Sequence, residues 1–165
     1  MTDTLGRLQP AFGKFCVEGD NEAEQTNDYA EQMEKAGVTF LKDQTAYLYN
    51  QYRLIGLRDM SDKDKILPSS YLEQIKKDSP YTIVISHRPR KLEDIAQYNV
   101  NLTLCGHTAG GQYPLTGWIE NLSSDMIYGI KKTGTMTAVT TSGVGQYGIP
   151  SKIMAPAEIV KITLS

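Results

Sequence analysis

Two short apolar runs in the middle of the chain give the clearest pattern of hydrophobic and polar positions. The run YTIVIS at 81–86 and the run NLTLC at 101–105 are almost continuously apolar or β-branched. Such runs are typical of strands that are buried on both faces of a sheet. A helix from about Lys91 to Tyr98 is expected between them. The middle of the chain is therefore predicted to form a strand–helix–strand unit.

The rest of the pattern predicts one longer helix upstream and strands on both sides. Apolar residues recur at three- and four-residue spacing from Glu22 to Ala36, which predicts an amphipathic helix that Gly37 ends. Ser69 and Ser70 are expected to cap a short helix over 71–78. Further strands are predicted at 13–17, 38–41, 46–49, 52–57, 126–130, 135–141 and 158–164. This order favours an α/β domain with layered sheets, at least one of them mixed.

The composition excludes several classes of protein. The chain has 165 residues, 40% of them hydrophobic, so one domain over 1–165 is expected. Seventeen basic against 19 acidic residues argue against nucleic acid as a partner. No apolar run reaches the roughly 20 residues that span a bilayer, and no secretory signal is visible. We therefore expect a cytoplasmic protein with no membrane segment. The glycine-rich stretch 143–148 lacks the context of a dinucleotide site, so no organic cofactor is predicted.

Three polar side chains follow predicted strands. Asp20 comes after GKFCVEG, His87 after YTIVIS, and His107 after NLTLCG. Ligands of open α/β sheets bind beyond the carboxyl ends of the strands, and a carboxylate with two imidazoles suits zinc, manganese or iron. The alternative is that both histidines are ordinary strand-end residues bonded to backbone. The glycines of Gly110-Gly111 favour the cation site, because they let the backbone approach a bound ion closely.

The residues around these positions resemble a known family. GHTAGGQ at 106–112 is similar to the GHTHGGQ signature of the calcineurin-like metallophosphoesterases, in particular of a small bacterial subgroup. ISHRP at 85–89 resembles the family's SHxP motif, and EGDNE at 18–22 stands where the family has GNHD or GNHE. GLRD at 56–59 resembles a G-(I/L)-x-D turn, and residues 142–164 resemble the family's closing segment.

The resemblance implies a fold, a reaction and a set of ligands. The fold would be a sandwich of two mixed β-sheets flanked by helices, and the reaction would be metal-dependent hydrolysis of a phosphoester. Asp20, His87 and His107 fall on three of the four ligands of one of the family's two metals, with Asp20 replacing an asparagine. Apart from the resemblance, Arg88 directly follows His87 in a basic run over 88–91, which is either the solvated start of a helix or, beside a metal site, a place where Arg88 holds phosphate oxygens.

The sequence also departs from the family pattern. The second metal's early D-x-H and G-D-x-x-D motifs belong to an N-terminal β-α-β part that is absent from this sequence. Ala109 replaces the second histidine of GHTH and carries no donor atom. Asn21 occupies the position of the family's leaving-group acid, and asparagine supplies no proton near neutral pH. We therefore expect at most one ion of manganese, zinc or iron per chain.

Two functional interpretations remain open on the sequence. The first is a metal-dependent phosphoester hydrolase relative, acting on a small phosphoester or nucleotide-like substrate. The second is a non-catalytic binding or interaction module, either a pseudo-phosphoesterase or a fragment that needs a partner. A single but incomplete domain would leave a sheet edge uncovered, and such edges pair with other chains. A dimer or a complementing chain is therefore expected.

Overall fold

The chain folds as an α/β protein with one large and one small sheet. The computed structural model describes residues 2–20, 28–59, 69–77, 79–111, 124–145 and 155–164. The helical elements are α1 (Thr2–Arg7), α2 (Asp28–Lys35), a 3-10 turn (Ser69–Tyr71) and α3 (Leu92–Ala96). The strands are β1 (Lys14–Val17), β2 (Val38–Leu41), β3 (Gln44–Leu48), β4 (Tyr52–Gly56), β5 (Tyr81–Ser86), β6 (Leu102–Cys105), β7 (Gly129–Thr133) and β8 (Met136–Thr140). The predicted α/β class is confirmed.

The large sheet is mixed and has the strand order β3-β4-β5-β6-β8-β7. Its four inner strands, β4, β5, β6 and β8, run parallel, and the two outer strands pair antiparallel to their neighbours. The register sets Ser86 of β5 beside Cys105 of β6. These two parallel strands therefore end at the same edge of the sheet, where the loops that follow them meet.

One face of the large sheet carries the main core. α3, the 3-10 turn and the residues near them cover this face, as continuous apolar runs predict. The buried residues are Ile55, Leu57, Leu72, Ile75, Val84, Leu92, Ile95, Val100, Cys105, Met136 and Ala138. Along β5 only alternate residues are fully buried. The expected burial on both faces is therefore only half right, because the opposite face is covered by a smaller layer.

That smaller layer is the two-stranded parallel sheet of β1 and β2. It packs on Gly56 at the end of β4, where a Cβ atom would overlap that of Leu41 and lie 3.0 Å from Val17. A side chain at position 56 would thus push the two sheets apart. The predicted layered arrangement of sheets is confirmed, and glycine is required where the layers come closest.

Two predicted strands differ from the structure. Residues 158–164 form no strand with any described part of the chain, and Ile159 is 88% exposed. A strand exists only where a neighbouring backbone offers ladder hydrogen bonds, and an alternating sequence does not supply one. β7 starts at Gly129 and not at Met126, because the Thr108 side chain bonds to the Ile127 carbonyl oxygen and holds this stretch against another loop.

The predicted helices are also shorter in the structure. The helix expected over 71–78 is only the turn Ser69–Tyr71. The Ser79 hydroxyl accepts a hydrogen bond from the Lys76 amide at 2.8 Å, which competes with helical bonding there. α2 covers Asp28–Lys35, and the start of its predicted range, 22–27, lies outside the described residues.

Glu158 connects the C-terminal stretch, residues 155–164, to the rest of the domain by hydrogen bonds. Its carboxylate accepts hydrogen bonds from the Tyr128 hydroxyl at 2.8 Å, the Thr141 hydroxyl at 2.8 Å and the Ser142 amide at 3.1 Å. The hydrogen bond from Tyr128, followed by those from Thr141 and Ser142, lowers the pKa of Glu158. The ionised form of Glu158 is therefore the form that holds this stretch.

Replacement of Glu158 by glutamine is expected to flatten the acid limb of the stability profile. Because folding lowers the pKa of Glu158, its contribution is fully present above the unfolded-state pKa of about 4.3 and is lost as the pH falls through the folded-state value. Urea unfolding over this acid range measures the effect, with Glu34→Gln at an exposed position of α2 as the matched control. Identical acid limbs in wild type and Glu158→Gln would contradict the prediction.

Candidate metal centre

The ends of β5 and β6 place two imidazoles side by side. His87 directly follows Ser86, and His107 follows Cys105 after one glycine. The Gly106 amide donates a hydrogen bond to the His87 carbonyl oxygen at 3.0 Å, which ties the two loops together. The ring centroids are 4.9 Å apart. The prediction that both histidines follow the carboxyl ends of strands is confirmed.

The loop after β6 turns sharply. His107 and Ala109 adopt left-handed backbone conformations, with φ values of 66° and 48°, and Gly110 and Gly111 follow at 69° and 68°. For a residue with a side chain this conformation costs about 1–2 kcal/mol. Strain of this kind is retained where surrounding structure imposes it, which is common at functional sites. Here the buried Thr108 side chain anchors the loop to the Ile127 carbonyl oxygen.

Asp20 completes a cluster of three ligand atoms. Its Oδ1 atom lies 2.8 Å from His87 Nε2 and 3.7 Å from His107 Nδ1, and these two nitrogens are 3.0 Å apart. With metal–ligand bonds of about 2.0–2.2 Å, ligand atoms around one ion are roughly 3.0–3.5 Å apart. The three distances lie within a few tenths of an ångström of this range, and the two nitrogens and one carboxylate oxygen suit manganese, zinc or iron.

The short contacts within this cluster compete for protons. The Arg88 guanidinium can only donate, and its Nη1 lies 3.0 Å from His107 Nε2, so a neutral His107 carries its proton on Nδ1. The proton on Nδ1 can form a strong hydrogen bond with only one acceptor. A second proton on His87 Nε2, which the 2.8 Å contact to Asp20 requires, would face it across 3.0 Å. One cation between the three atoms would remove this competition.

The charge balance of the cluster favours an ionised Asp20. Partial burial opposes ionisation of this carboxyl group, but the charges of His107 and His87 and the hydrogen bond with His87 outweigh it. The net effect is to lower the pKa of Asp20. Asp20 is thus available as an anionic donor, and its role as a metal ligand stays a prediction.

Arg88 lies directly beside this cluster. Its Nε atom donates to both carboxylate oxygens of Asp59, at 3.0 and 3.1 Å, and its Nη2 lies 3.5 Å from Asp20 Oδ2. Asp59 is buried, with 7% of its surface exposed. Asp59 is the last residue of the GLRD motif, but nothing in the sequence indicates which side chain it contacts. Only the folded chain brings β4 beside β5 and so pairs the two side chains.

Glu18, which directly follows β1, supports the Arg88–Asp59 pair. It is buried, pairs with Lys42 at 2.7 Å, and accepts a hydrogen bond from the Asp59 amide at 3.3 Å. Glu18 stands in the EGDNE motif, yet nothing in the sequence marks it as different from the neighbouring acids. Its contacts hold the backbone that presents Asp59 to Arg88.

Asp125 is a further residue that sequence reasoning missed. Its amide donates to the Pro89 carbonyl oxygen at 2.9 Å, and its carboxylate accepts from the Leu92 amide at 2.7 Å. It therefore links the loop after β5 to the first turn of α3. The stretch that carries Asp125 also receives the Thr108 bond, so it braces both histidine loops.

The described residues contain one candidate cluster of metal ligands, and it is that of Asp20, His87 and His107. Ala109 provides no donor beside it. Asn21, which stands at the position of the family's acid, lies outside the described residues. Its predicted role therefore stays a prediction.

Comparison with known proteins agrees with the motifs. The chain is 30% identical to an uncharacterized metallophosphoesterase of Aquifex aeolicus (strain VF5), over 99% of this chain and 65% of that protein. It is 29% identical to the uncharacterized metallophosphoesterase YkuE of Bacillus subtilis (strain 168), over 97% of this chain and 59% of that protein. It is also 29% identical to the phosphodiesterase YaeI of Escherichia coli (strain K12), over 90% of this chain and 57% of that protein.

These alignments show that the chain is related to the metallophosphoesterases along nearly its whole length. They confirm the calcineurin-like resemblance that the motifs predict. The chain spans about three fifths of the length of these relatives. No family model matches the chain, and no solved structure matches it. Among the described helices, none has the length and apolar character needed to cross a membrane.

Gly110 couples the His107 loop to the C-terminal stretch, and its replacement by alanine is expected to destabilise the domain. A Cβ atom there would overlap that of Ala155 and lie 3.0 Å from Ser142 Cβ, at a φ of +69°. The control is Gly134→Ala, which has a similar φ of +59° but meets no atom within 4 Å. We expect a loss of about 1 kcal/mol for the control and roughly 2–3 kcal/mol for Gly110→Ala, measured by urea unfolding. Equal losses would show that the overlap is relieved without cost.

Proposed function

We propose that this chain provides a mononuclear metal site for the hydrolysis of a small phosphoester. The observation that carries the proposal is the convergence of Asp20, His87 and His107, whose ligand atoms all lie within 4.8 Å of one another. The metallophosphoesterase and phosphodiesterase names of the relatives support the reaction class. A three-ligand site keeps open positions for water and substrate, as catalytic metal sites do.

Different side chains would bind the ion, contact the phosphate and position the contacting group. A bound divalent ion would polarise a phosphoryl oxygen and make a bound water more acidic. Asp20, His87 and His107 would hold that ion. Arg88, whose side chain is 13% exposed, stands at the rim of the cluster and is our candidate for contacting a phosphate oxygen. Asp59 fixes the direction in which the guanidinium points.

The alternative proposal is a binding module without turnover. Ala109 removes a donor that the family uses for its second ion, so that ion loses a ligand here. Asn21 likewise removes the family's acid. A site of this kind could still bind a metal and an anionic partner. The predicted dimer or complementing chain and the predicted cytoplasmic location remain predictions, which sedimentation of the purified chain and cell fractionation test.

One manganese ion per chain is the expected stoichiometry. The double variant His87→Ala/His107→Ala, which contains no histidine, is expected to lose binding because two of the three ligands are gone. Calorimetric titration with manganese measures both quantities. Asp94→Asn, which changes an exposed acid of α3 paired with Lys91, is the control and should bind normally. Two ions per chain, or full binding by the double variant, would contradict the ligand assignment.

Activity separates the hydrolase from the binding module. With manganese and bis-p-nitrophenyl phosphate, a hydrolase should release nitrophenolate at a rate that falls by about 10²-fold or more in His107→Ala, since a metal contributes several kcal/mol to such reactions. Asn21→His restores the family's acid and should raise the rate of a hydrolase by roughly 10²-fold. Release no faster than in buffer, in wild type and in Asn21→His, would favour the binding module.

A further inference from the structure

Arg88 occupies an unusual place for a cation, because it touches two of the three candidate metal ligands. Nη1 lies 3.0 Å from His107 Nε2, and Nη2 lies 3.5 Å from Asp20 Oδ2. Nε meanwhile remains on the buried carboxylate of Asp59. The guanidinium group therefore spans from a buried anion to the edge of the cluster. A divalent ion bound to the cluster would have a positive charge as its immediate neighbour.

The hydrogen bond between Arg88 and His107 conflicts with metal binding through Nδ1. Guanidinium nitrogens carry only donors, so His107 Nε2 must accept, and the proton of a neutral His107 then resides on Nδ1. A metal needs the lone pair of Nδ1, which moves that proton to Nε2. Two N–H groups would then face each other across the 3.0 Å that separates Arg88 Nη1 from His107 Nε2. The two arrangements exclude each other.

We propose that Arg88 is a built-in cation that competes with the divalent ion for the Asp20–His87–His107 cluster, and that ion binding releases its Nη1 and Nη2 groups toward an anionic ligand. The proposal rests on the metal site of the proposed function. In the observed arrangement Arg88 compensates the charge of Asp20 and bonds to His107. When the ion binds, the guanidinium turns away from His107.

The release is local because Asp59 keeps its hold on Nε. Asp59 is buried, and its own amide bonds to Glu18, so it is a fixed anchor. The freed Nη1 and Nη2 atoms form one edge of the guanidinium fork, which matches two oxygens of a phosphate. The expected ligand is thus a phosphate group that also contacts the ion. Binding of ion and phosphate should be coupled through Arg88.

Manganese affinity in the absence of phosphate tests the competition. Arg88→Gln removes the charge and is expected to bind manganese about tenfold more tightly than wild type, because a charge-assisted hydrogen bond no longer has to be broken. Arg58→Gln is the matched control. It removes the same charge from the same sheet edge, where the exposed Arg58 side chain pairs with partly buried Asp43, and should leave manganese affinity unchanged. Calorimetry or the electron paramagnetic resonance signal of free manganese gives the dissociation constants.

A second variant covers the case in which Arg88→Gln does not fold, since it leaves Asp59 buried without its cation. Arg88→Gln/Asp59→Asn removes the pair together and is expected to show the same gain. Equal manganese affinity in wild type and in every folded Arg88 variant would overturn the competition. Failure of wild type and all variants to bind manganese would instead overturn the proposed metal site, and the inference with it.

Coupling to an anion is tested with inorganic phosphate. At saturating manganese, wild type and Arg58→Gln should bind phosphate roughly tenfold more tightly than the double variant Arg88→Gln/Asp59→Asn, because the freed guanidinium supplies two charge-assisted bonds. Without manganese, this difference should disappear, since Nη1 is then held by His107. A phosphate affinity that depends on Arg88 equally with and without manganese would overturn the release.

Discussion

The parallel pairing of β5 with β6 is the constraint on which the site depends. The register that sets Ser86 beside Cys105 makes both strands end at one level, and each is followed within two residues by a histidine. A slip of one residue in this pairing would turn the side chains of one strand to the other face. The apolar residues of β5 and β6 that fill the main core therefore also determine the distance between His87 and His107. Packing and candidate chemistry share one register.

Charge burial shapes the surroundings of the cluster. Asp59 and Glu18 are both buried, and each is matched by a cation that reaches it from a neighbouring element, Arg88 and Lys42 respectively. Removing one partner of a buried pair leaves an uncompensated charge, which costs about 3–5 kcal/mol. Buried ion pairs of this kind add little net stability, but they fix the orientation of the side chains that form them. They present Arg88 to the cluster in one direction.

The sequence predicts the strands and the histidines better than it predicts their partners. β2 and β5 were predictable to the residue, and β6 nearly so, because apolar, β-branched runs have a clear local signature. The Arg88–Asp59 pair joins residues 29 apart in sequence, and no local pattern marks such a contact. The prediction of a strand over 158–164 was wrong because it also depended on a long-range contact. Its alternation is local, whereas a strand requires a partner that the rest of the fold must supply.

The central claim is that one divalent ion binds between Asp20, His87 and His107. Crystals grown with manganese and measured at the manganese absorption edge would locate the ion directly by anomalous scattering. The account predicts one anomalous peak per chain, about 2.0–2.2 Å from Asp20 Oδ1, His87 Nε2 and His107 Nδ1, with Arg88 Nη1 moved away from His107. A peak held by other residues, or two peaks in this cleft, would contradict it.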